Sequence, residues 1–209
     1  RLPDAPVTIE SDDRTIKVTC GRSSFSLPTM PTEAFPSLPS VEGVQGVVAG
    51  SDFADAVAQV SVAASRDDVA PMITGVHLTF GPDNLSLVAT DRYRVAVREL
   101  NWQSNFTDGE DALVVARTLS DIAKSFAQAD QVVTTLISEG DRKLIAFSAG
   151  GRTVTSTLLK GKFPAVGRLF PAETPHFAVI QKSDVMDAVR RMQLVLEREQ
   201  ALRFSFTQD

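Results

Sequence analysis

The sequence holds one cysteine, one tryptophan, one tyrosine and two histidines in 209 residues. A single thiol permits no disulfide within the chain. Cys20 sits inside a strand-like run, where it reads as a small buried hydrophobe in a reducing cytoplasm. His77 and His176 lie far apart and show no HExxH spacing, and the chain has neither a GxSxG elbow nor a P-loop. His77 falls in a strand run whose apolar neighbours favour packing. The carboxylate pair Asp67-Asp68 follows a helix in a turn, where acidic residues are commonplace. No catalytic residue, metal ligand or cofactor is therefore expected, and the enzyme reading is set aside.

No run of 18 or more apolar residues appears, so no membrane span is expected. The opening stretch RLPDAPVTIE lacks the charged and apolar regions of a secretory signal and reads as a chain cut within a domain. An excess of positive charge is missing too. The net charge is −5 and the pI about 5.1, which argues against holding nucleic acid by neutralising many phosphates. Any role on DNA must work by another route.

What is present is ordinary globular material, 43% hydrophobic, enough for a sizeable core. It also repeats itself. SDFADAV (51–57) returns as SDVMDAV (183–189), 132 positions later. DRTIKVTCGR (13–22) is echoed by DRKLIAFSAGGR (141–152), and Phe35-Pro36 by Phe163-Pro164. A period of about 130 residues is far longer than a solenoid unit, so each copy should be a domain with its own core. The chain then carries the end of one copy in residues 1–44, a complete copy in 45–165 and the start of a third in 166–209.

Within the complete copy, Ser51 is a candidate N-cap, and Phe53, Val57, Val60 and Ala64 form an apolar stripe at helical spacing. GVHLTF (75–80) and the long run 85–100 read as strands joined by the turn GPDN. In that run, Arg92 and Arg94 are expected on one strand face, with Tyr93 on the other beside Asp91 and Val95. Trp102 falls in the polar loop NWQSNFTDGEDA and reads as a partly buried anchor. A second helix follows, with Leu119, Ile122, Ala123 and Phe126 on one face; QVVTTLISEG, KLIAFSAG and RTVTSTLLKG then supply three more strands. The class is α+β, two helices on antiparallel sheets in each domain.

GRSSFSLPTMPTEAFPSLP, ITGVHLTF followed by VATDRYRVAV, and LLKGKFPAVGRLFP, in that order, make the chain resemble the bacterial sliding clamp family, the beta subunit of DNA polymerase III. The resemblance implies the DNA clamp fold: three similar domains per subunit, and two subunits closed head to tail as a homodimer ring around duplex DNA. A ring stays on DNA because it cannot unthread, which suits an acidic chain. It implies DNA-facing helices carrying Arg66, Arg117, Lys124, Arg190 and Arg191. It also implies a pocket that captures short hydrophobic motifs of the polymerase III catalytic subunit and the clamp loader. By position that pocket would be lined by Ile73, Thr90, Tyr93, Arg94 and Val95, with Pro164 and Leu169 from the linker. Where many family members have Gly-His-Arg, this chain has Arg92-Tyr93-Arg94. The alternative is a repeated-domain peptide-binding adaptor that does not encircle DNA.

Overall fold

In the computed structural model the two apolar stripes become helices sharing one core. The structure describes residues 2–35, 37–107, 109–140, 142–170, 173, 175–197 and 201–206, and of Glu139 the backbone alone. Pro36 and Asp141, each part of a repeated stretch, lie outside the described residues. Helix α1 (Gly50–Ser61) buries Phe53, Ala56, Val57 and Val60, and α2 (Ala116–Phe126) buries Leu119, Ile122, Ala123 and Phe126. The two helices pack against each other. Ser51 is not the cap: Ala49 holds that position with no side-chain hydrogen bond, and the helix begins at Gly50. A Cβ on Gly50 would strike the carbonyls of Phe126 and Ala129, so the close approach of the end of α2 sets where α1 starts.

Three antiparallel sheets form among the described residues. The first is a meander of β1 (Val7–Ser11), β2 (Thr15–Cys20) and β3 (Ser23–Pro28). Its alternation puts Val7, Ile9, Val18 and Phe25 on one face and Thr8, Lys17 and Ser26 on the other. The second involves β4 (Val44–Val48), β8 (Gln103–Ser104), β10 (Val132–Glu139), β11 (Arg142–Ala149) and β12 (Arg152–Thr157), in the order β12-β11-β10-β4-β8. The third runs β7 (Val95–Asn101), β6 (Asn84–Thr90), β5 (Gly75–Phe80), β9 (Glu110–Val115). The GPDN turn joins β5 to β6, with Gly81 N–H bonded to the Asn84 carbonyl at 2.9 Å.

Both helices rest on the third sheet: α1 on β5, β6 and β7, α2 on β5 and β9. The same core takes in Val132, Ile145 and Phe147 of the second sheet, and the Phe53 and Phe147 rings lie 5.3 Å apart. Each large side chain buried this way contributes about 2 kcal/mol. Trp102 is a full core member, its ring stacked against both Phe80 and Phe106, which also stack on each other, and its indole N–H donating to the Gly81 carbonyl at 2.9 Å. The outer face of β10 and β11 buries Ile137, Leu144 and Ala146 with Val41 packed on them.

The repeated stretches take up matching local structure. DRTIKVTCGR lies on β2 and the described part of DRKLIAFSAGGR on β11, each the centre of a three-strand meander that leaves through a left-handed glycine, Gly21 at φ 56° and Gly150 at φ 55°. SDFADAV lies in α1 and SDVMDAV in α3 (Lys182–Gln193), both helices of 12 residues with an Asp in the first turn. The chain divides into two compact units, residues 1–161 and 162–209. The second holds a short 3-10 turn at Gly167–Leu169 and α3, none of whose residues is buried. No helix among the described residues is long and apolar enough to cross a membrane.

Candidate functional site

The stretch ATDRYR does not continue as a strand. The β6–β7 ladder runs to the pair Thr90 and Val95, and residues 91–94 form the turn between them. The chain reverses without glycine or proline because Asp91 does the work of a turn residue. Its Oδ1 accepts the amides of Tyr93 and Arg94, both at 3.1 Å, and its Oδ2 accepts the Arg94 Nε at 2.9 Å. Thr90, buried beneath the turn, donates its hydroxyl to the Arg94 carbonyl at 2.8 Å and accepts the Arg92 N–H at 3.2 Å. The arginines therefore do not alternate with Tyr93 across a strand. Arg92 sits at φ 80°, the left-handed region, and the Tyr93 side chain is 97% exposed.

Burial pushes the Asp91 carboxyl up, but hydrogen bonds from the Arg94 side chain and from the Arg94 and Tyr93 amides outweigh it and hold the group below its ordinary value. The turn is thus clamped by an ionised carboxylate at neutral pH.

Beside the turn opens a cleft of about 690 Å³. Buried Ala64 and Ile73 and half-buried Ala70 line it, with Arg66 and Asp67 from the loop after α1 and all of residues 91–94. Of the residues expected at a peptide pocket, Ile73, Tyr93 and Arg94 thus meet at one cleft. Thr90 and Val95 do not line it; Thr90 acts beneath, holding the turn. Pro164 and Leu169 belong to the second unit, both exposed, Leu169 at the end of its 3-10 turn. Ala64, Ala70 and Arg92, outside the set expected from sequence, also line it. Nothing in their residue types signals a cleft; only the fold brings the end of α1 against the turn.

A second cleft of about 630 Å³ lies between the end of α1 and the start of α2, where Arg66 and Arg117 are joined by Asp68, Thr74 and Ser120. Arg66 is not on a helix face as expected, because α1 ends at Ser61. Lys124 is exposed in the last turn of α2. The exposed face of α1 carries Asp52 and Asp55. Arg190 and Arg191 are exposed on α3 in the second unit, Arg190 paired with Asp187 at 3.1 Å.

Among the described residues no group of three or more His, Cys, Asp and Glu could hold a metal ion. His77 Nε2 lies 2.7 Å from Asp111 Oδ2, across the β5–β9 ladder.

Comparison with known proteins gives one family throughout. The profile of the DNA polymerase III beta subunit central domain matches residues 47–165, and that of the N-terminal domain matches residues 1–39. A beta sliding clamp of Streptomyces coelicolor is 44% identical over 99% of this chain and 56% of its own length. One from Micrococcus luteus is 42% identical, over 99% of this chain and 66% of its own. The chain thus spans between about half and two thirds of the curated relatives it matches. A crystal structure of the DNA polymerase III beta subunit from Pseudomonas aeruginosa aligns with TM-score 0.77 at 26% identity, covering 92% of this chain and 52% of that one. A sliding clamp of the same organism bound to griselimycin aligns with TM-score 0.75 at 26% identity, over 90% and 50% of the two chains. With profiles, relatives and fold in agreement, the chain belongs to the family of DNA polymerase III beta subunits, the beta sliding clamps.

Proposed function

We propose that the chain serves a sliding clamp, a processivity factor that encircles duplex DNA as a homodimer ring and tethers the replicative polymerase, the clamp loader and other proteins bearing short apolar motifs. It carries out no chemistry of its own and acts in the cytoplasm. Residues 1–44 would be the C-terminal part and linker of a first clamp domain, 45–165 a complete second domain, and 166–209 a linker with the N-terminal part of a third. The peptide site is the cleft at Ile73, Tyr93 and Arg94, resting on Thr90 and Val95; the family resemblance also assigns Pro164 and Leu169 of the linker to peptide capture. The DNA-facing cations are Arg66, Arg117, Lys124, Arg190 and Arg191.

The observation that carries this reading is 44% identity to a beta sliding clamp along the whole chain, in a molecule whose turn 91–94 walls a cleft that Ala64, Ala70 and Ile73 also line. Such a cleft suits a peptide with buried Leu or Phe anchors. A relative has been solved with griselimycin bound, so a protein of this fold accepts a ligand.

The test is topological. The full natural chain carrying these residues is loaded on a nicked DNA circle, which is then linearised. A ring slides off the open ends. Retention on the linear product would sink encirclement and leave the adaptor without a ring.

A further inference from the structure

The complete domain is built from two similar halves. Strand, helix and three strands follow one another in β4, α1, β5, β6, β7 and again in β9, α2, β10, β11, β12, and each half lends its first strand to the other's sheet. Register fixes which residues correspond. Val48 faces Val132 as Val114 faces Val76. Phe80, Leu85 and Leu100 lie in one row across the first half's strands, and Leu136, Ile145 and Ser156 in the matching row of the second. Two residues further along, Trp102 corresponds to Leu158. Each chain then borders its own half's first strand: Gln103 pairs with Val47, and the Leu159 N–H donates to the Leu113 carbonyl at 2.8 Å.

The two corresponding places are filled differently. In the first half the buried Trp102 indole stacks on Phe80 and Phe106. The second half has only Leu136 and Leu158 where the first has Phe80 and Trp102, and a cleft of about 390 Å³ opens at Leu158. Buried Ala112, Leu113 and Leu144 and half-buried Leu159 also line it. With them stand Arg142, Lys143 and Lys160, all exposed and without an ion pair among the described residues. Asp111, the carboxylate on this cleft, lies 2.7 Å from His77. The cleft shares no lining residue with the one beside residues 91–94.

We propose that the cleft at Leu158 is a separate docking site that takes an aromatic side chain of a partner protein, flanked in the partner by carboxylates. The aromatic is the group that the fold itself inserts at the corresponding place, and a cavity of this volume holds one such ring. The three uncommitted cations set the charge of what surrounds that ring, since a guanidinium or ammonium bonds a carboxylate more strongly than a neutral acceptor. A phosphate backbone would use the cations and leave the leucines bare. The proposal stands apart from peptide capture at residues 91–94 and does not depend on it.

The experiment uses the full natural chain carrying these residues and three synthetic peptides of one length: Trp between aspartates, Ala between aspartates, and Trp between asparagines. Anisotropy titrations are run on the wild type and on three variants, with thermal melts to verify folding. Leu158→Trp fills the cleft from within, Arg142→Glu with Lys143→Glu reverses its rim, and Tyr93→Ala alters the other cleft. The wild type is expected to bind the Asp-Trp peptide about ten-fold more tightly than the Asp-Ala peptide. It should also prefer Asp-Trp to Asn-Trp about five-fold, less so at high salt. Leu158→Trp should lower affinity about ten-fold, and the reversed rim should erase the preference for Asp. If Leu158→Trp does not fold, the two exposed rim substitutions decide alone. Equal affinity of the wild type for the Trp and Ala peptides, or binding and preference unchanged in the folded variants, overturns the proposal. So does binding that falls in Tyr93→Ala and not with the reversed rim, which would seat the peptide in the other cleft. Binding of no peptide overturns it as well, and if the reversed rim then also slows loading on nicked circular DNA, the three cations serve nucleic acid instead.

Discussion

Thr90 Oγ1 donates a 2.8 Å hydrogen bond to the Arg94 carbonyl, closing the mouth of the β6–β7 hairpin directly beneath the cleft. The same oxygen accepts the Arg92 amide at 3.2 Å, so one buried hydroxyl ties the middle of the turn to its end. Thr90→Val keeps the shape and removes both bonds. It is expected to cost about 1–2 kcal/mol in denaturant unfolding. Amide exchange should quicken at residues 91–95 before it does elsewhere in β6 and β7. Unchanged protection in the turn would mean that Asp91 alone suffices to hold it.

Arg92→Gly should relieve strain in the turn. Relief of the left-handed strain gains about 1–2 kcal/mol, and the extra freedom of glycine in the unfolded chain takes back about 0.5–1. The net expectation is a small rise in melting temperature, read by calorimetry. A drop in stability would show that the Arg92 side chain stabilises the turn, and its φ would need another explanation.

Acid should loosen the same turn. The Asp91 carboxyl is held below its ordinary value of 3.8 in the folded state. Between the folded and unfolded values the unfolded chain binds more protons, so stability rises with pH across that window. The contribution is complete above 3.8 and is lost as pH falls through the lowered folded value. Asp91→Asn should flatten this part of the stability profile while lowering stability at neutral pH. An unchanged acid limb in Asp91→Asn would assign it to other carboxylates, such as Asp12, whose group the Arg14 amide, the Thr15 hydroxyl and the Thr15 amide also hold low.

Much of this architecture can be read from the residues because one periodicity dominates each element. Phe53, Val57 and Val60, and likewise Leu119, Ile122, Ala123 and Phe126, recur at helical spacing and are all buried. Residues 91–94 read as strand for the converse reason. Between two β-branched runs, Asp-Arg-Tyr-Arg offers no glycine or proline, and the turn exists through the reach of one carboxylate. Arg66 falls off the helix because α1 ends at Ser61, and Ser51 is not the cap because Gly50 meets the end of α2. The cleft itself was legible only through family resemblance. Its floor is made of Ala64, Ala70 and Ile73, residue types that look the same in any core.

Trp102 offers a local reporter of the sheet behind the site. It stacks at 5.7 Å on Phe80 and at 5.3 Å on Phe106, and a Cβ on Gly46 would collide with its ring. Gly46→Ala must therefore displace the indole and break its bond to the Gly81 carbonyl. Because the chain has a single tryptophan, its fluorescence reports this event alone. The emission should shift to the red, and stability should fall by about 1–3 kcal/mol, the usual range for overpacking. An unshifted spectrum would show that β4 moves instead of the ring.

The DNA-facing assignment stands or falls on α2. Arg117 and Lys124 are both exposed, Arg117 lining the cleft with Arg66 near the start of the helix and Lys124 in its last turn. Replacing both by Glu changes the local charge by about four units in all, enough to reverse the field along that face without touching the buried stripe. Single exposed substitutions usually move stability by under about 0.5 kcal/mol, although Lys124→Glu also places an acid at the negative end of the helix dipole. The double variant of the full natural chain is therefore expected to melt within a few degrees of wild type. It should load on nicked circular DNA less efficiently and show a weaker salt dependence, since fewer phosphates are neutralised. Asp52 and Asp55 on the exposed face of α1 sharpen the comparison. If α1 also faces DNA, Asp52→Asn with Asp55→Asn should improve loading while the α2 variant impairs it. Loading unchanged in both variants, with folding intact, would turn these helices away from DNA and assign the encircling surface elsewhere.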